Sequence, residues 1–211
     1  MLTYNFYMPS RNIIKLDVPD SYYHIYARGV SKSAIFNNDK DKAVFLNLLK
    51  RYLSSDKEYD KRNHQYPNYS KSIELLAFCL MNNHFHMLIY QKDEGAMTGL
   101  MKSLLTSYSR YFNKKYNRSG PLFESRYKAT NIDSDSYLHH ISRYIHLNPK
   151  NWSSYSFSSL PYYSGNSNAE WVKPQKILDL FKDKNEYLSF VADYEENILM
   201  IDELKHELAS L

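Results

Sequence analysis

Apolar residues recur along the first part of the chain with two different spacings. Short runs rich in aromatic and β-branched residues predict strands at residues 21–29, 73–91 and 121–132. Apolar residues repeated every three or four positions predict amphipathic helices at residues 39–53, 97–116 and 135–147.

Asn82 and Asn83 divide the run at residues 73–91 into two strands. Both residues tolerate the positive φ of a tight turn, so they predict a β-hairpin. The resulting order of strands and helices matches the split βαβ arrangement of a ferredoxin-like α+β fold. In that fold two helices cover one face of an antiparallel sheet, and the strand that begins at His84 is central. The helix at residues 135–147 follows the last strand and can pack on the open face.

The sequence changes in character after residue 150. The stretch from Asn151 is rich in Ser, Tyr and Pro, which is typical of a linker or an ordered surface segment. Short helical patterns follow at residues 172–181, 186–194 and 198–208, where acidic residues dominate. We therefore expect one domain at residues 1–150, then a linker and an acidic helical C-terminal extension at residues 151–211.

Composition narrows the class of protein. The 211 residues are 43% hydrophobic, with a formal net charge of +4 and one cysteine, Cys79. One cysteine excludes an internal disulfide framework and a cysteine-based zinc site. No apolar run reaches the ~20 residues that cross a bilayer, and the N-terminus lacks a signal-peptide pattern. We expect a cytoplasmic protein with no membrane contact.

Basic residues dominate residues 101–128. This excess suits a polyanion such as nucleic acid, because Lys and Arg neutralise phosphate charge. A solvated charged surface would explain it equally well. The candidates for DNA contact are Arg28, Lys114, Lys115, Arg118, Arg126, Lys128 and, on the helix predicted at residues 135–147, His140.

Two histidines open the second strand of the predicted hairpin. Because side chains alternate along a strand, His84 and His86 share one face at roughly 7 Å along the strand, and Phe85 lies on the other. At this spacing two imidazoles can share one divalent ion. An isolated pair of this kind also arises by coincidence, so the interpretation needs partners from elsewhere in the chain.

The helix predicted at residues 135–147 offers such partners. Leu138, Ile141 and Ile145 form its apolar stripe, and Tyr144 and Asn148 lie one turn apart at the edge of that stripe. If the stripe packs on the open face of the sheet, a phenol and a carboxamide can face the histidines. Tyrosine can act as a nucleophile, particularly when a metal polarises its target phosphate. The alternative is that this tyrosine is one more half-buried aromatic residue.

These motifs together resemble a known family. His-Phe-His at residues 84–86, followed by Tyr-Ile-x-x-Asn-Pro at residues 144–149, is similar to the single-tyrosine HUH transposases, specifically the REP-associated tyrosine transposase branch of the insertion-sequence-200-like group. Supporting motifs in the same order are YHIYARG, MNNHFHML and SGPLFESRYKA. The resemblance covers residues 22–150. A small departure is Asn82, where this branch often has proline.

The resemblance implies a metal-dependent nickase and strand transferase for single-stranded or hairpin DNA. His84, His86 and Asn148 would hold Mg²⁺ or Mn²⁺. Tyr144 would attack the scissile phosphate, which gives a 5′-phosphotyrosine intermediate and a free 3′-hydroxyl.

Several alternatives stay open at this point. The same sheet could bind single-stranded nucleic acid without cutting it, with tyrosines stacking on bases, or a metal-activated water could attack instead of Tyr144. The apolar stripe at residues 97–116 would serve either the core or a homodimer, so Tyr144 would act within its own chain or on a partner. We expect His24 to be a structural histidine near the pair, and His139 and His146 to be exposed.

Overall fold

The computed structural model describes residues 17–133 and 135–193, without the side chains of residues 135 and 136. Its centre is a four-stranded antiparallel sheet with the order β2-β3-β1-β4. The strands are β1 (Ser21–Arg28), β2 (Ile73–Met81), β3 (His84–Gln91) and β4 (Lys128–Ile132). Asn82 and Asn83 form the turn between β2 and β3, so the predicted hairpin and the central position of β3 are confirmed.

Two long helices, α1 (Asp39–Leu53) and α2 (Ala96–Lys115), cover one face of the sheet. Phe85, Met87 and Ile89 of β3 point into this core, where the Phe85 ring lies 5.0 Å from that of Phe45. Asn38 caps α1 by accepting a hydrogen bond from the backbone N–H of Asp41. The apolar stripe of α2 is buried in the same core.

The helix α3 (Asp135–Leu147) packs on the opposite face. Its stripe of Leu138, Ile141 and Ile145 is buried with Leu76 of β2 and Leu88 of β3. Strand alternation therefore sends the even-numbered residues of β3, including both histidines, toward α3. The ferredoxin-like α+β arrangement predicted from the sequence is confirmed.

The segment after α3 folds back onto that helix. Its short helices α4 (Leu160–Ser164), α5 (Gln175–Leu178) and α6 (Lys184–Ala192) contact α3 or one another. His146 of α3 is fully buried, with Nδ1 2.7 Å from Tyr187 Oη and Nε2 2.7 Å from Ser159 Oγ. The Arg143 guanidinium lies 4.1 Å from the centre of the Phe190 ring. These contacts fix α3 from its outer side.

Some elements differ from the sequence predictions. The strand predicted at residues 121–132 is confined to Lys128–Ile132, because Leu122 and Phe123 turn into the core and Phe123 makes only an isolated bridge to Gly29. The pattern at residues 172–181 shortens to α5, and the one at residues 186–194 corresponds to α6, which begins and ends two residues earlier. The pattern at residues 198–208 lies outside the described residues. No helix in the described part of the chain is long and apolar enough to span a membrane.

The expectation that His139 and His146 are exposed was wrong. The segment after α3 covers both of them, and the His139 ring lies 5.0 Å from that of Phe181. A helical pattern identifies which side of α3 faces the sheet, but it does not reveal that a later segment covers the other side.

Truncation of Tyr187 tests whether the segment that covers α3 stabilises the fold. We expect Tyr187→Ala to lower the free energy of unfolding by about 3–5 kcal/mol, because it removes a fully buried aromatic ring and the phenol that contacts His146. Tyr59, which is 53% exposed, provides a matched control, and Tyr59→Ala should cost no more than about 0.5 kcal/mol. Urea unfolding measures both. Equal costs would contradict a structural role for the segment.

Candidate histidine–tyrosine active site

The four side chains singled out by the sequence motifs meet between β3 and α3. The rings of His84 and His86 lie 5.0 Å apart, and the Tyr144 ring lies 5.2 Å from that of His86 in an edge-to-face arrangement. Asn148 Oδ1 lies 3.2 Å from His84 Nε2. The structure therefore brings a phenol, a carboxamide and two imidazoles of one chain into a single cluster.

The helix α3 positions its two contributions through its period. Tyr144 and Asn148 follow one another by a single turn at the edge of the buried stripe. The helix ends at Leu147, and Pro149 prevents its continuation because proline has no backbone N–H. Asn148 thus sits just beyond the last turn, where its side chain reaches both His84 and Tyr144.

Strand β1 adds two residues to the site. His24 Nε2 lies 2.9 Å from His86 Nδ1. Tyr26 is the direct cross-strand partner of His86, and its ring lies 5.9 Å from that imidazole. The sequence motifs did not identify Tyr26, although alternation along β1 already puts it on the same face as His24. The missing information was the register between β1 and β3.

Burial controls the charge state of the site. It lowers the pKa of His86 well below the usual value, with smaller contributions from His84 and His24. Burial also lowers the pKa of His84, assisted by Arg28 and opposed by the hydrogen bond to Asn148. Burial raises the pKa of Tyr144, whereas a hydrogen bond to Asn148 acts to lower it. At neutral pH the imidazoles are uncharged and the phenol keeps its proton.

The surroundings of His84 test whether these residues fit a divalent ion. His84 Nδ1 lies 2.7 Å from Asn83 Oδ1, while Nε2 faces Asn148 Oδ1. A neutral imidazole has one N–H, so it cannot donate to both oxygens as they are oriented here. With the proton on Nε2, His84 donates to Asn148; with the proton on Nδ1, it donates to Asn83, and a lone pair on Nε2 then faces the lone pairs of the Asn148 oxygen. A cation bound by both atoms would satisfy these lone pairs, so the donor set fits a divalent ion.

The number of protein ligands is small. Within residues 17–133 and 135–193, no group of three or more His, Cys, Asp or Glu side chains is arranged to hold a metal ion. A divalent ion at this position would therefore depend on His84, His86 and the amide oxygen of Asn148, with its remaining ligands from water or substrate. Mn²⁺ accepts imidazole and oxygen ligands together, and Mg²⁺ commonly keeps waters and substrate phosphates.

Two of the candidate DNA-contact residues border this cluster. Arg28 is the cross-strand partner of His84 and forms an ion pair with Glu124 at 3.2 Å. Lys128 is the cross-strand partner of Tyr26, and its ammonium group lies 5.8 Å from the centre of the Tyr26 ring. Lys128, Tyr26 and His86 thus form one row across three strands.

The other candidates lie elsewhere. Arg126 is exposed just before β4, and His140 contacts Arg143 and lies against Phe190 of α6. Lys114, Lys115 and Arg118 lie at the C-terminal end of α2, on the side of the sheet covered by α1 and α2. Arg118 packs over the Phe112 ring.

Lys115 forms an ion pair with a buried acid. Its ammonium group lies 2.6 Å from a carboxylate oxygen of Asp41, a residue with 0% exposure. Tyr111 and Tyr116 also donate hydrogen bonds to this carboxylate. Burial acts to raise the pKa of Asp41, but the hydrogen bonds outweigh it and hold the pKa below its usual value. Lys115 therefore connects the end of α2 to the start of α1.

Comparisons with known proteins identify the class of protein that this site and fold define. A family model described as "Transposase IS200 like" matches residues 17–148, a range that includes all four strands, α1 to α3 and Asn148. The chain belongs to the family of IS200-like transposases. The resemblance found in the sequence motifs is thereby confirmed.

One solved structure supports the fold assignment. A REP-associated tyrosine transposase bound to a REP hairpin aligns with a TM-score of 0.51 and 13% identity, over 76% of this chain and 90% of that one. A tRNA(His) guanylyltransferase from Saccharomyces cerevisiae aligns over 87% of this chain and 80% of that one at 12% identity, but its TM-score of 0.35 carries no argument. No curated protein matches the sequence.

Two neighbouring lysines at the end of α2 provide a test of the Asp41 contact. We expect Lys115→Met to lower the urea midpoint of unfolding, because a buried carboxylate that loses its cation is strongly unfavourable. Lys114 is exposed, and Lys114→Met should leave the midpoint unchanged. If the two variants unfold together, Lys115 is not a structural partner of Asp41.

Proposed function

We propose that the protein nicks and rejoins single-stranded or hairpin DNA with Tyr144 as its nucleophile. Membership of the IS200-like family assigns the chain to DNA transposition. The observation that carries the proposed chemistry is the meeting of Tyr144 with His86 and, through Asn148, with His84 in one chain. A module that only bound nucleic acid would not need this combination of groups.

The reaction exchanges one phosphate ester for another. The Tyr144 oxygen forms a bond to the scissile phosphorus, and the bond from phosphorus to the 3′-oxygen breaks. The products are a 5′-phosphotyrosine and a 3′-hydroxyl, and the proton lost by the phenol balances the one gained by the 3′-oxygen. The free 3′-hydroxyl can later attack the phosphotyrosine, which restores Tyr144 and joins the strand.

Burial holds the phenol of Tyr144 in a fixed position. It also raises the pKa of this tyrosine, so the proton is hard to remove. Asn148 bonds to the phenol and orients it without acting as a strong base. His84, His86 and Asn148 are the residues that would hold Mg²⁺ or Mn²⁺, an ion that neutralises charge on the scissile phosphate when bound. Positioning and charge neutralisation are the main requirements of phosphoryl transfer, so a weak nucleophile in a fixed position can suffice.

We further propose that Tyr144 acts within its own chain. Its ring already contacts the imidazole of His86, and the segment after α3 fixes the helix in place through His146 and Arg143. The α2 stripe, which the sequence left open as a homodimer surface, is buried against α1 and the sheet. No exchange of α3 between two chains is needed to complete the cluster.

The half-buried side of the cluster provides a route for DNA. His84, Asn148 and Tyr26 are partly exposed, and the basic residues Arg28 and Lys128 lie beside them. A phosphodiester that approaches here would meet positive charge before it reaches Tyr144. An extended single strand fits this approach, because its backbone can enter without a paired strand.

Substitution of the proposed nucleophile tests the chemistry. Incubation of labelled hairpin and single-stranded DNA with Mn²⁺ should give a protein–DNA adduct that survives denaturation, and Tyr144→Phe should abolish it. The exposed Tyr59→Phe variant should form the adduct at the wild-type level. Denaturing gel electrophoresis separates the outcomes.

The same experiment distinguishes the two alternative functions, a nuclease that uses water and a module that only binds DNA. Cleavage that persists in Tyr144→Phe would indicate attack by water. Binding to the DNA panel without cleavage by the wild-type protein would indicate a non-catalytic module. Loss of both adduct and cleavage in Tyr144→Phe alone supports Tyr144 as nucleophile.

The basic residues beside the site generate a second prediction. Lys128→Ala should weaken single-stranded DNA binding and reduce the slope of log affinity against log salt by about 0.7, as expected for one lost phosphate contact. Lys115→Ala should leave this slope unchanged, because Lys115 is paired with Asp41. Fluorescence anisotropy at several salt concentrations measures both. A slope that changes only in Lys115→Ala would place the DNA on the other side of the sheet.

A further inference from the structure

His24 lies beside the proposed metal ligands but directs its ring at one of them. Its Nε2 is 2.9 Å from His86 Nδ1, and both residues are 3% exposed. The strand register explains the contact: Tyr26 pairs with His86, so His24 is the diagonal neighbour of His86 on the same face. His24 directs Nε2 at Nδ1 of His86, and no group of three His, Cys, Asp or Glu side chains is arranged to hold a metal ion in the described part of the chain.

The contact restricts where His86 can carry its proton. Two imidazole nitrogens at hydrogen-bond distance share one proton, so one ring donates and the other accepts. If His24 donates, neutral His86 carries its proton on Nε2 and has no lone pair left for a metal. If His86 Nδ1–H donates, its Nε2 lone pair is available. Only the second arrangement is compatible with a ligand role for His86.

His84 has an equivalent contact from a different residue. Its Nδ1 faces Asn83 Oδ1 at 2.7 Å, and its Nε2 faces the Asn148 oxygen. Both histidines therefore have a partner at Nδ1, an amide oxygen for His84 and the His24 imidazole for His86. Partners of this kind fix the tautomer and ring orientation of metal-binding histidines in other proteins.

We propose that His24 is a positioning residue that accepts the Nδ1 proton of His86 and so keeps the His86 Nε2 lone pair available for a divalent ion. This inference rests on the proposed function, because it assigns a supporting role at the same site. It also gives a specific reason for a histidine at position 24. An apolar residue of similar size would fill the space without accepting the proton.

Two substitutions of His24 distinguish its role as a hydrogen-bond acceptor from the space that its side chain fills. His24→Gln keeps an oxygen that can accept the proton near the position of Nε2, whereas His24→Met fills similar space without a comparable acceptor. Calorimetric titration of the full chain with Mn²⁺ should show a loss of about 10–100-fold in affinity for His24→Met, with most of it regained in His24→Gln. His64→Gln, at an exposed site, should bind as the wild type does. Equal losses in His24→Gln and His24→Met, or no loss in either, would overturn the proposal.

Nitrogen NMR gives a readout on the wild-type protein itself, without metal. In the metal-free wild-type protein labelled with ¹⁵N-histidine, His86 should show a protonated Nδ1 and an unprotonated Nε2, assigned by comparison with His86→Gln. A proton on His86 Nε2 would overturn the role of His24. If the wild type binds no Mn²⁺, the proposed metal site fails, but the same spectrum still decides which ring donates.

Discussion

The packing of α3 against the sheet face opposite α1 and α2 is the constraint on which the site depends. Strand β3 is central and buried on both sides, so each of its side chains belongs to one of two layers. Phe85 and its alternate neighbours fill the core under α1 and α2, which leaves the histidines to the other layer. Helix α3 closes that layer and brings Tyr144 and Asn148 to it. The candidate site is thus located by the same alternation that builds the core.

Burial of this layer has two chemical effects. It favours uncharged imidazoles, which can act as ligands, and it raises the pKa of Tyr144, so the phenol keeps its proton. The polar groups at the site are arranged in contact with one another: Asn83 with His84, His84 with Asn148, and His24 with His86. In the proposed reaction, such a network would hold Tyr144 and the histidines in position before DNA binds, and positioning is a main requirement of phosphoryl transfer.

The sequence predicted much of the fold because the relevant signals are local. The hairpin turn, the period of α1 and α2 and the stripe of α3 all follow from neighbouring residues, and the order of elements then limited the topology. Tyr144 and Asn148 lie near each other because one helical turn separates them, and the buried stripe of α3 brings both to the histidines. What could not be predicted depends on contacts between distant segments. His146 is buried only because Ser159 and Tyr187 return to it, and Lys115 pairs with an acid on another helix.

Mass spectrometry of the trapped protein–DNA adduct, after nuclease and trypsin digestion, identifies the residue that becomes joined to DNA. Trypsin cuts after Arg143 and Lys150, so residues 144–150 form a peptide whose only tyrosine is Tyr144. We predict that this peptide carries the added mass of a nucleotide joined through its 5′-phosphate. A nucleotide attached to any other peptide, or cleavage of DNA with no modified peptide, would contradict it.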